Sequence, residues 1–242
     1  MKSIQMNKEM TKAILDGRKV QTRRVVKLPD CKWSDGHKSK VSIDKIWIED
    51  SPFCETPDKM ITITGVGDDE DFNEKKFVKE FSKYQIEETI WVREPAEVIA
   101  YDNETLELCY RYKADDGINA KSIIMPDRFI YPNTNHPKWA INCKGIPNGC
   151  IKEMARIFLK VTNIRVERLQ DIEHEDILQE GFPLDYEIKN STKIYYDDSD
   201  FDIDRTYEWW INLWNSTAPK GYKWEDNPYV FVYEFEMVKE VI

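Results

Sequence analysis

The sequence has few of the features that mark a metalloprotein, a secreted protein or a membrane protein. Its three histidines are scattered and its five cysteines are widely spaced, so neither set provides the clustered ligands of a zinc site. No stretch approaches the roughly 20 apolar residues of a membrane span, and the N-terminal MKSIQMNKEM has no apolar region of a secretion signal. We therefore expect a cytoplasmic chain with reduced thiols, no metal, no cofactor and no membrane partner.

The sequence also lacks glycine-rich phosphate loops and an excess of positive charge. Neither GxxxxGK[ST] nor GxGxxG occurs, which argues against a nucleoside triphosphatase or a dinucleotide-dependent enzyme. The formal net charge is −10, whereas proteins that bind duplex nucleic acid usually present a basic surface. The acidity is concentrated in GDDEDFNE (Gly67–Glu74) and YYDDSDFDID (Tyr195–Asp204). The remainder is nearly balanced, so a local basic groove stays compatible with the sequence.

The composition is that of a folded chain. Its 242 residues are 41% hydrophobic and 12% aromatic, enough for a core in one large domain or two small ones. Alternating or helical spacing of apolar residues predicts the elements. The predicted strands are Ser3–Met6, Val20–Val26, Val41–Ile48, Met60–Val66, Glu88–Ala100, Thr105–Ala114, Arg156–Leu169 and Tyr229–Val238. Arg156–Leu169 is either one long strand or two strands joined by a bend near Thr162–Asn163. The predicted helices are Lys8–Asp16, Glu74–Tyr84, Glu173–Gly181 and Arg205–Asn215, and Pro126–Gly149 is predicted to be a long loop.

Many strands with few helices between them do not follow a βαβ pattern. A small mixed or closed β-sheet with peripheral helices fits better, which is an α+β class. Residues 30–85 are predicted to form an inserted subregion with its own hairpin and helix. Three tryptophans of the helix Arg205–Asn215 are expected to lie mainly in the core.

The segment DGRKVQTRRVV (Asp16–Val26) is unusually basic for this acidic chain. One interpretation is a solvated basic turn that starts a strand. The other is a site: if the chain turns just after Gly17, Lys19 and Thr22 can cooperate. A lysine whose pKa is lowered by burial or by neighbouring cations can act as a base and activate a hydroxyl or a water. The neighbouring cations are Arg18, Arg23 and Arg24.

Further candidates lie outside this segment. Arg93 and Glu94, at a strand end beside Pro95, form either a structural ion pair or part of a cleft. Glu180 ends its helix, where a carboxylate opposes the helix dipole, so it is either tolerated there because it is exposed or placed to face Lys19. The remaining candidates are residues that could line a site or stack on a base, namely Tyr112, Lys113, Tyr131 and Trp139.

Several segments together resemble the ASCH family, of the PUA-like superfamily, in its larger phage and prophage members. The resemblance covers Ile4 to Phe235 with gaps, and residues 30–85 and 184–205 have no counterpart in it. Its motifs are AILDGRKVQTRR, IWVRE, YKAD, VTNIRVERLQDIEHEDILQEG, LWN and NPYVFVYEF. It implies one domain over residues 1–242, a small PUA-like mixed β-barrel with peripheral helices and insertions near 30–85 and 184–205.

The resemblance also implies a function. Some small bacterial ASCH proteins are amidohydrolases that deacetylate N4-acetylcytidine, with a lysine and a threonine in the arrangement G-R-K-x-x-T. Carried to this chain, the catalytic residues are Lys19, Thr22 and Glu180. The substrate-binding candidates are Arg18, Arg23, Arg24, Arg93, Glu94, Lys113 and Trp139. This chain departs from the family pattern at two positions: Val20 stands where a threonine is common, and Glu173 stands where a helix-capping serine is usual.

Three functions remain open at this level. The first is an amidohydrolase of an acylated cytidine or a similar modified nucleoside. The second is a non-catalytic module that binds single-stranded RNA or a modified base, with Trp139 or Tyr112 stacking on the base. The third is a phage or prophage effector that binds a host protein in the host cytoplasm through its acidic insertions.

Overall fold

The computed structural model describes residues 1–32, 38–49, 58–65, 69–115, 119–130, 136–183 and 198–238. Tyr131 and most of the predicted insertion near 184–205 lie outside them. The helices are α1 (Lys8–Leu15), α2 (Glu74–Phe81), α3 (Lys138–Ile141), α4 (His174–Gln179) and α5 (Asp198–Thr217). The strands are β1 (Ser3–Gln5), β2 (Gln21–Val25), β3 (Cys31–Lys32), β4 (Lys38–Ser39), β5 (Ser42–Glu49), β6 (Asp58–Thr64), β7 (Glu70–Asn73), β8 (Thr89–Arg93), β9 (Ala96–Tyr101), β10 (Glu107–Tyr112), β11 (Ala120–Ile124), β12 (Phe158–Arg168) and β13 (Tyr229–Val238).

The strands confirm the α+β class. They form a five-stranded sheet of order β1-β8-β12-β13-β2, two three-stranded sheets of orders β11-β10-β9 and β5-β6-β7, and the pair β3-β4. In the described part of the chain these sheets are open, and none closes into the predicted barrel. No helix among the described residues is both long enough and apolar enough to cross a membrane.

The chain divides into two compact units, each built from separate stretches. Unit 1 contains Met1–Lys19, Thr89–Lys160 and Glu236–Ile242, and unit 2 contains Val20–Glu88 and Val161–Phe235. The prediction of one domain over residues 1–242 is not decided by this division and stays a prediction.

In unit 1, β1 runs parallel to β8, and β8 pairs antiparallel with the start of β12. The core beside them is apolar and aromatic, with Trp91, Leu108 and Tyr110 buried in it.

The predicted strand Glu88–Ala100 is two strands, because Pro95 has no N–H to continue a ladder. The predicted long loop is wrong in part, since it contains α3, and β11 was not predicted.

In unit 2, β2 pairs antiparallel with β13, and β5, β6 and β7 form an antiparallel sheet with α2 after it. The hairpin β5-β6 and the helix α2 match the hairpin and helix predicted within residues 30–85, and β7 is a further strand. Trp210 and Trp214 of α5 are buried beside β13, as expected for core aromatics. That helix begins at Asp198, seven positions before the predicted start, inside the acidic segment Tyr195–Asp204.

Candidate active site

The basic segment starts with a turn that requires glycine. Gly17 has φ +75°, a left-handed conformation that glycine adopts without a steric cost, and it ends α1 as predicted. Its N–H donates to the Ile14 carbonyl at 3.0 Å, and the Lys19 N–H donates to the Ala13 carbonyl at 3.0 Å. Arg18 pairs with Asp16 at 3.0 Å and its side chain is 30% exposed. Lys19, by contrast, is only 1% exposed.

The strand β2 sends its side chains to two faces in alternation. Gln21 and Arg23 both reach Asp176, whereas Arg24 reaches Thr22. This is the period of two that a strand imposes. Gln21, Thr22 and Arg23 are each at most 1% exposed. The interpretation as a solvated turn is therefore wrong for these residues, whereas Arg18, which pairs with the exposed Asp16, matches it.

Three carboxylates surround the buried Arg23 guanidinium. Nε donates to Glu167 at 2.8 Å, Nη1 donates to Glu180 at 3.2 Å and Nη2 donates to Asp176 at 2.6 Å. The guanidinium also lies 5.8 Å from the centroid of the Trp210 ring. A buried charge is tolerated only when it is paired and hydrogen-bonded. The Arg23 side chain is 0% exposed, and each of its three guanidinium nitrogens donates to a carboxylate. Arg23 therefore positions these carboxylates and is not accessible to a ligand.

Asp176 connects Arg23 to a second arginine. Its carboxylate accepts from Arg165 Nη2 at 2.8 Å and from Gln21 Nε2 at 2.9 Å. Burial alone would raise the pKa of Asp176, but the hydrogen bond from Gln21 and the charges of Arg23 and Arg165 outweigh it, and that pKa is lowered. Asp176 is therefore ionised throughout the neutral range.

Glu180 is the C-cap residue of α4 and is 1% exposed. Its N–H donates to the Asp176 carbonyl at 2.9 Å, and Gly181 follows with φ +97°. A carboxylate at this end of a helix opposes the dipole. The ion pair with Arg23 compensates for that opposition, which explains a residue whose placement had no evident structural benefit in the sequence.

Arg24 holds the Thr22 hydroxyl. Its Nη1 donates to Thr22 Oγ1 at 2.8 Å and to the Arg23 carbonyl at 2.9 Å. Burial lowers the pKa of Arg24, and the charge of Glu180 opposes that shift. Burial likewise raises the pKa of the nearby Tyr84 to about 12, with Arg24 acting against it. Because a guanidinium only donates, Thr22 accepts in this contact, and it donates no hydrogen bond within the described residues.

In unit 1, Glu94 pairs with Arg156 rather than with Arg93. Arg156 Nε and Nη2 each donate to the Glu94 carboxylate at 2.9 Å, and Arg156 also binds Asp115 at 2.6 Å. The guanidinium stacks 3.9 Å from the centroid of the Tyr112 ring. Glu94 is 0% exposed, so the alternative of a structural ion pair describes it, with Arg156 as the partner.

The remaining unit 1 candidates are separate from that pair. Arg93 is partly exposed, and its Nε is buried without a hydrogen-bond partner among the described residues. Lys113 is exposed and begins a short 3₁₀ helix. Trp139 packs edge-on against Phe129, with the ring centroids 6.0 Å apart.

Sequence reasoning missed three members of the network in unit 2, namely Arg165, Glu167 and Asp176. Two signals could have found them. Arg165 and Glu167 lie two apart on β12 and so share a face. Asp176 and Glu180 lie four apart at α4 and so share another. No local sequence pattern shows that Glu167 of β12 and the two carboxylates of α4 all bind Arg23 of β2.

No three His, Cys, Asp or Glu side chains among the described residues are grouped to hold a metal ion. Cys109, Cys143 and Cys150 are free thiols. Comparisons of this chain with protein-family models, with curated proteins and with solved structures find no match.

Proposed function

We propose that this chain is a divergent ASCH protein of the PUA-like superfamily and an amidohydrolase that removes the acyl group from an N4-acylated cytidine or a similar modified nucleoside. The observation that carries the proposal is the environment of Thr22. Its hydroxyl is buried, it accepts a hydrogen bond from a guanidinium, and its proton is not used in any other hydrogen bond in the described chain. A hydroxyl in that state is suited to donate its proton to a base and attack a carbonyl.

In the proposed reaction, Thr22 Oγ1 attacks the acyl carbon as a general base takes the hydroxyl proton, a role that the family resemblance implies for Lys19. The tetrahedral intermediate breaks its C–N bond, the proton passes to the leaving amine, and cytidine leaves. Water then hydrolyses the threonyl ester and releases the carboxylic acid. The sum is amide plus water giving amine plus acid, with no oxidant and no metal required. The variant in which Lys19 activates water directly has the same sum.

The surrounding charges support a division of roles. Arg24, already bonded to Thr22 Oγ1, is placed to stabilise negative charge that develops beside that oxygen. The charge of Glu180 opposes the lowering of the Arg24 pKa, and the Glu180 carboxylate is held by Arg23, so Glu180 is suited to move the proton to the leaving amine. Arg23 is a positioning residue in this scheme. Arg93 and Lys113 remain proposed contacts to the substrate.

The burial of Thr22 has a consequence for access. Because Thr22 is 1% exposed, the substrate reaches it only when the chain around it opens. We expect the turnover rate to depend on that opening as well as on the chemistry.

The test is turnover of N4-acetylcytidine, followed as cytidine by chromatography. We expect Thr22→Ala to lower kcat by about 100-fold or more and Thr22→Ser to retain activity, since serine keeps the hydroxyl. Thr206→Ala is the matched control, because Thr206 is equally buried in the same unit and its hydroxyl donates to the Ile203 carbonyl. No turnover at high enzyme concentration, or equal rates for Thr22→Ala and the parent, would overturn the proposal for this substrate.

Base stacking without catalysis has less support. Tyr112 is 1% exposed and its hydroxyl donates to the Met154 carbonyl, so its ring is part of the core. Arg156 covers one face of that ring. Of the described residues that the sequence suggested for base stacking, Trp139 remains a candidate.

A further inference from the structure

Unit 2 contains a cleft of about 530 Å³ that does not include Thr22 or Glu180. It is lined by the end of β2 and the residues after it, by Lys40–Ile43 of the region without a family counterpart, by Arg168, and by residues between Gly221 and Tyr229. Its volume lies within the range of small-molecule sites, roughly 300–1,000 Å³.

Backbone contacts fix the walls of this cleft. The Val26 N–H donates to the Tyr229 carbonyl and the Leu169 N–H donates to the Pro228 carbonyl, both at 2.9 Å. Gly65 packs directly on the opposite wall, where an added Cβ would lie 2.3 Å from the Lys40 carbonyl oxygen. Such a close approach requires glycine, so the wall at Lys40 is held by main-chain packing.

The cleft contains a pre-positioned guanidinium. Arg168 lies 3.7 Å from the centroid of the Tyr229 ring, and its Nη1 donates to the Asn227 carbonyl at 3.0 Å. Within the described residues it has no carboxylate partner, so most of its five N–H donors remain available. A guanidinium fixed by stacking and by one hydrogen bond loses little freedom when it binds an anion.

Two lysines add positive charge to the same cleft. Lys27 and Lys40 are exposed, and neither forms an ion pair in the described part of the chain. The acidic lining residues are Asp30 and Asp226. Asp226 accepts a hydrogen bond from the Lys223 backbone N–H at 2.8 Å. Three cations against two carboxylates leave a net positive cleft in a chain of net charge −10.

We propose that this cleft binds a nucleoside monophosphate. The phosphate is held by Arg168, Lys27 and Lys40, because a guanidinium matches phosphate oxygens two at a time and the lysines add charge. The base packs against the ring of Tyr222, which lines the cleft and does not carry the Arg168 stack. This site is separate from Thr22 and does not rest on the amidohydrolase proposal.

The experiment is isothermal titration of the full chain with the four common nucleoside 5′-monophosphates, with the matching nucleosides and with inorganic phosphate. We expect at least one nucleotide to bind with a Kd below about 1 mM, and its nucleoside and phosphate alone to bind at least about tenfold more weakly. No binding of any nucleotide, or equal binding of bare phosphate, would refute the proposal.

Variants locate the binding. Arg168→Ala should weaken nucleotide binding about tenfold or more, and Arg168→Lys should restore part of it. Lys27→Ala with Lys40→Ala is a second test that spares the fold, since both side chains are exposed, and it should weaken binding several-fold. Arg128→Ala is the matched control, because Arg128 is an exposed arginine paired with Glu153 in unit 1.

Unchanged binding in Arg168→Ala and in the lysine variant would place the ligand elsewhere and overturn the assignment. Thr22→Ala should bind the nucleotide as the parent does, which separates this outcome from failure of the proposed reaction.

Discussion

At the scale of single residues, the unusual feature is an arginine buried with three carboxylates. Removing one partner from such a cluster leaves charge that is no longer matched, whereas the complete cluster contributes little net stability compared with an apolar replacement. Arg23 therefore makes its surroundings sensitive to the ionisation of each carboxylate. Burial would raise the pKa of Asp176, but Gln21, Arg23 and Arg165 lower it.

We predict that Asp176→Asn lowers the free energy of unfolding at pH 7 by about 1–3 kcal/mol. The folded pKa of Asp176 is below its unfolded value of about 3.9. A carboxylate of this kind stabilises the fold above its unfolded pKa and loses that contribution as the pH falls through its folded pKa. The difference between the parent and the variant should therefore be largest at neutral pH and shrink below about pH 4.

Urea unfolding at several pH values measures this difference. Asp127→Asn is the control, because Asp127 is exposed, and surface changes of this kind are nearly neutral. A difference for Asp176→Asn that stays constant from pH 7 to pH 3 would contradict the role assigned to its charge.

At the scale of elements, α4 presents Asp176 and Glu180 to Arg23 although its own N-terminus is poorly capped. The N-cap residue Glu173 has extended backbone angles, φ −92° and ψ 164°, but its side chain makes no capping hydrogen bond. In α1, by contrast, the Asn7 side chain accepts from the Met10 N–H at 2.8 Å. The sequence had already marked Glu173 as a departure from the serine usual in the ASCH family.

We predict that Glu173→Ser stabilises the protein by about 0.5–1 kcal/mol, since a serine hydroxyl can accept from a free N–H of the first turn. Thermal and urea unfolding give the measurement. Glu173→Ala serves as the comparison, because it removes the same charge without providing an acceptor. Equal stability of the serine and alanine variants would show that capping is not what limits α4.

At the scale of the whole molecule, negative charge is in excess, whereas the buried charges of Arg23 and Glu94 are each paired locally. The net charge is −10 and the isoelectric point calculated from the sequence is about 5.0. Repulsion between negative surfaces keeps such a protein dispersed at neutral pH.

We predict that solubility is lowest near pH 5, where the net charge approaches zero. Concentration of the supernatant after equilibration between pH 4 and pH 8 measures it. Added salt should lower the solubility difference between pH 5 and pH 7, because salt screens the repulsion that operates at pH 7. A minimum above pH 6 would contradict an origin in net charge.

Prediction from sequence succeeded where the signal is local. The end of α1 at Gly17 follows from one glycine after an apolar helical face, and β13 follows from strict alternation over Tyr229–Val238. It failed where the pattern is weak or interrupted. The segment Ala120–Ile124 has no clear alternation and becomes β11 through its pairing with β10, and α3 is four residues long within a segment rich in proline, asparagine and glycine.

The sequence alone determined the residue types of the candidate site and the turn that starts it, because a glycine and the period of a strand act over a few residues. The tertiary structure decided which of those residues are buried and what each one holds. Arg23 lies 144 positions from Glu167 and 157 from Glu180, and a pairing over such distances depends on how β2, β12 and α4 pack. Composition left the basic segment as either a solvated turn or a site, and only the packing of distant elements surrounds the charge of Arg23 with carboxylates.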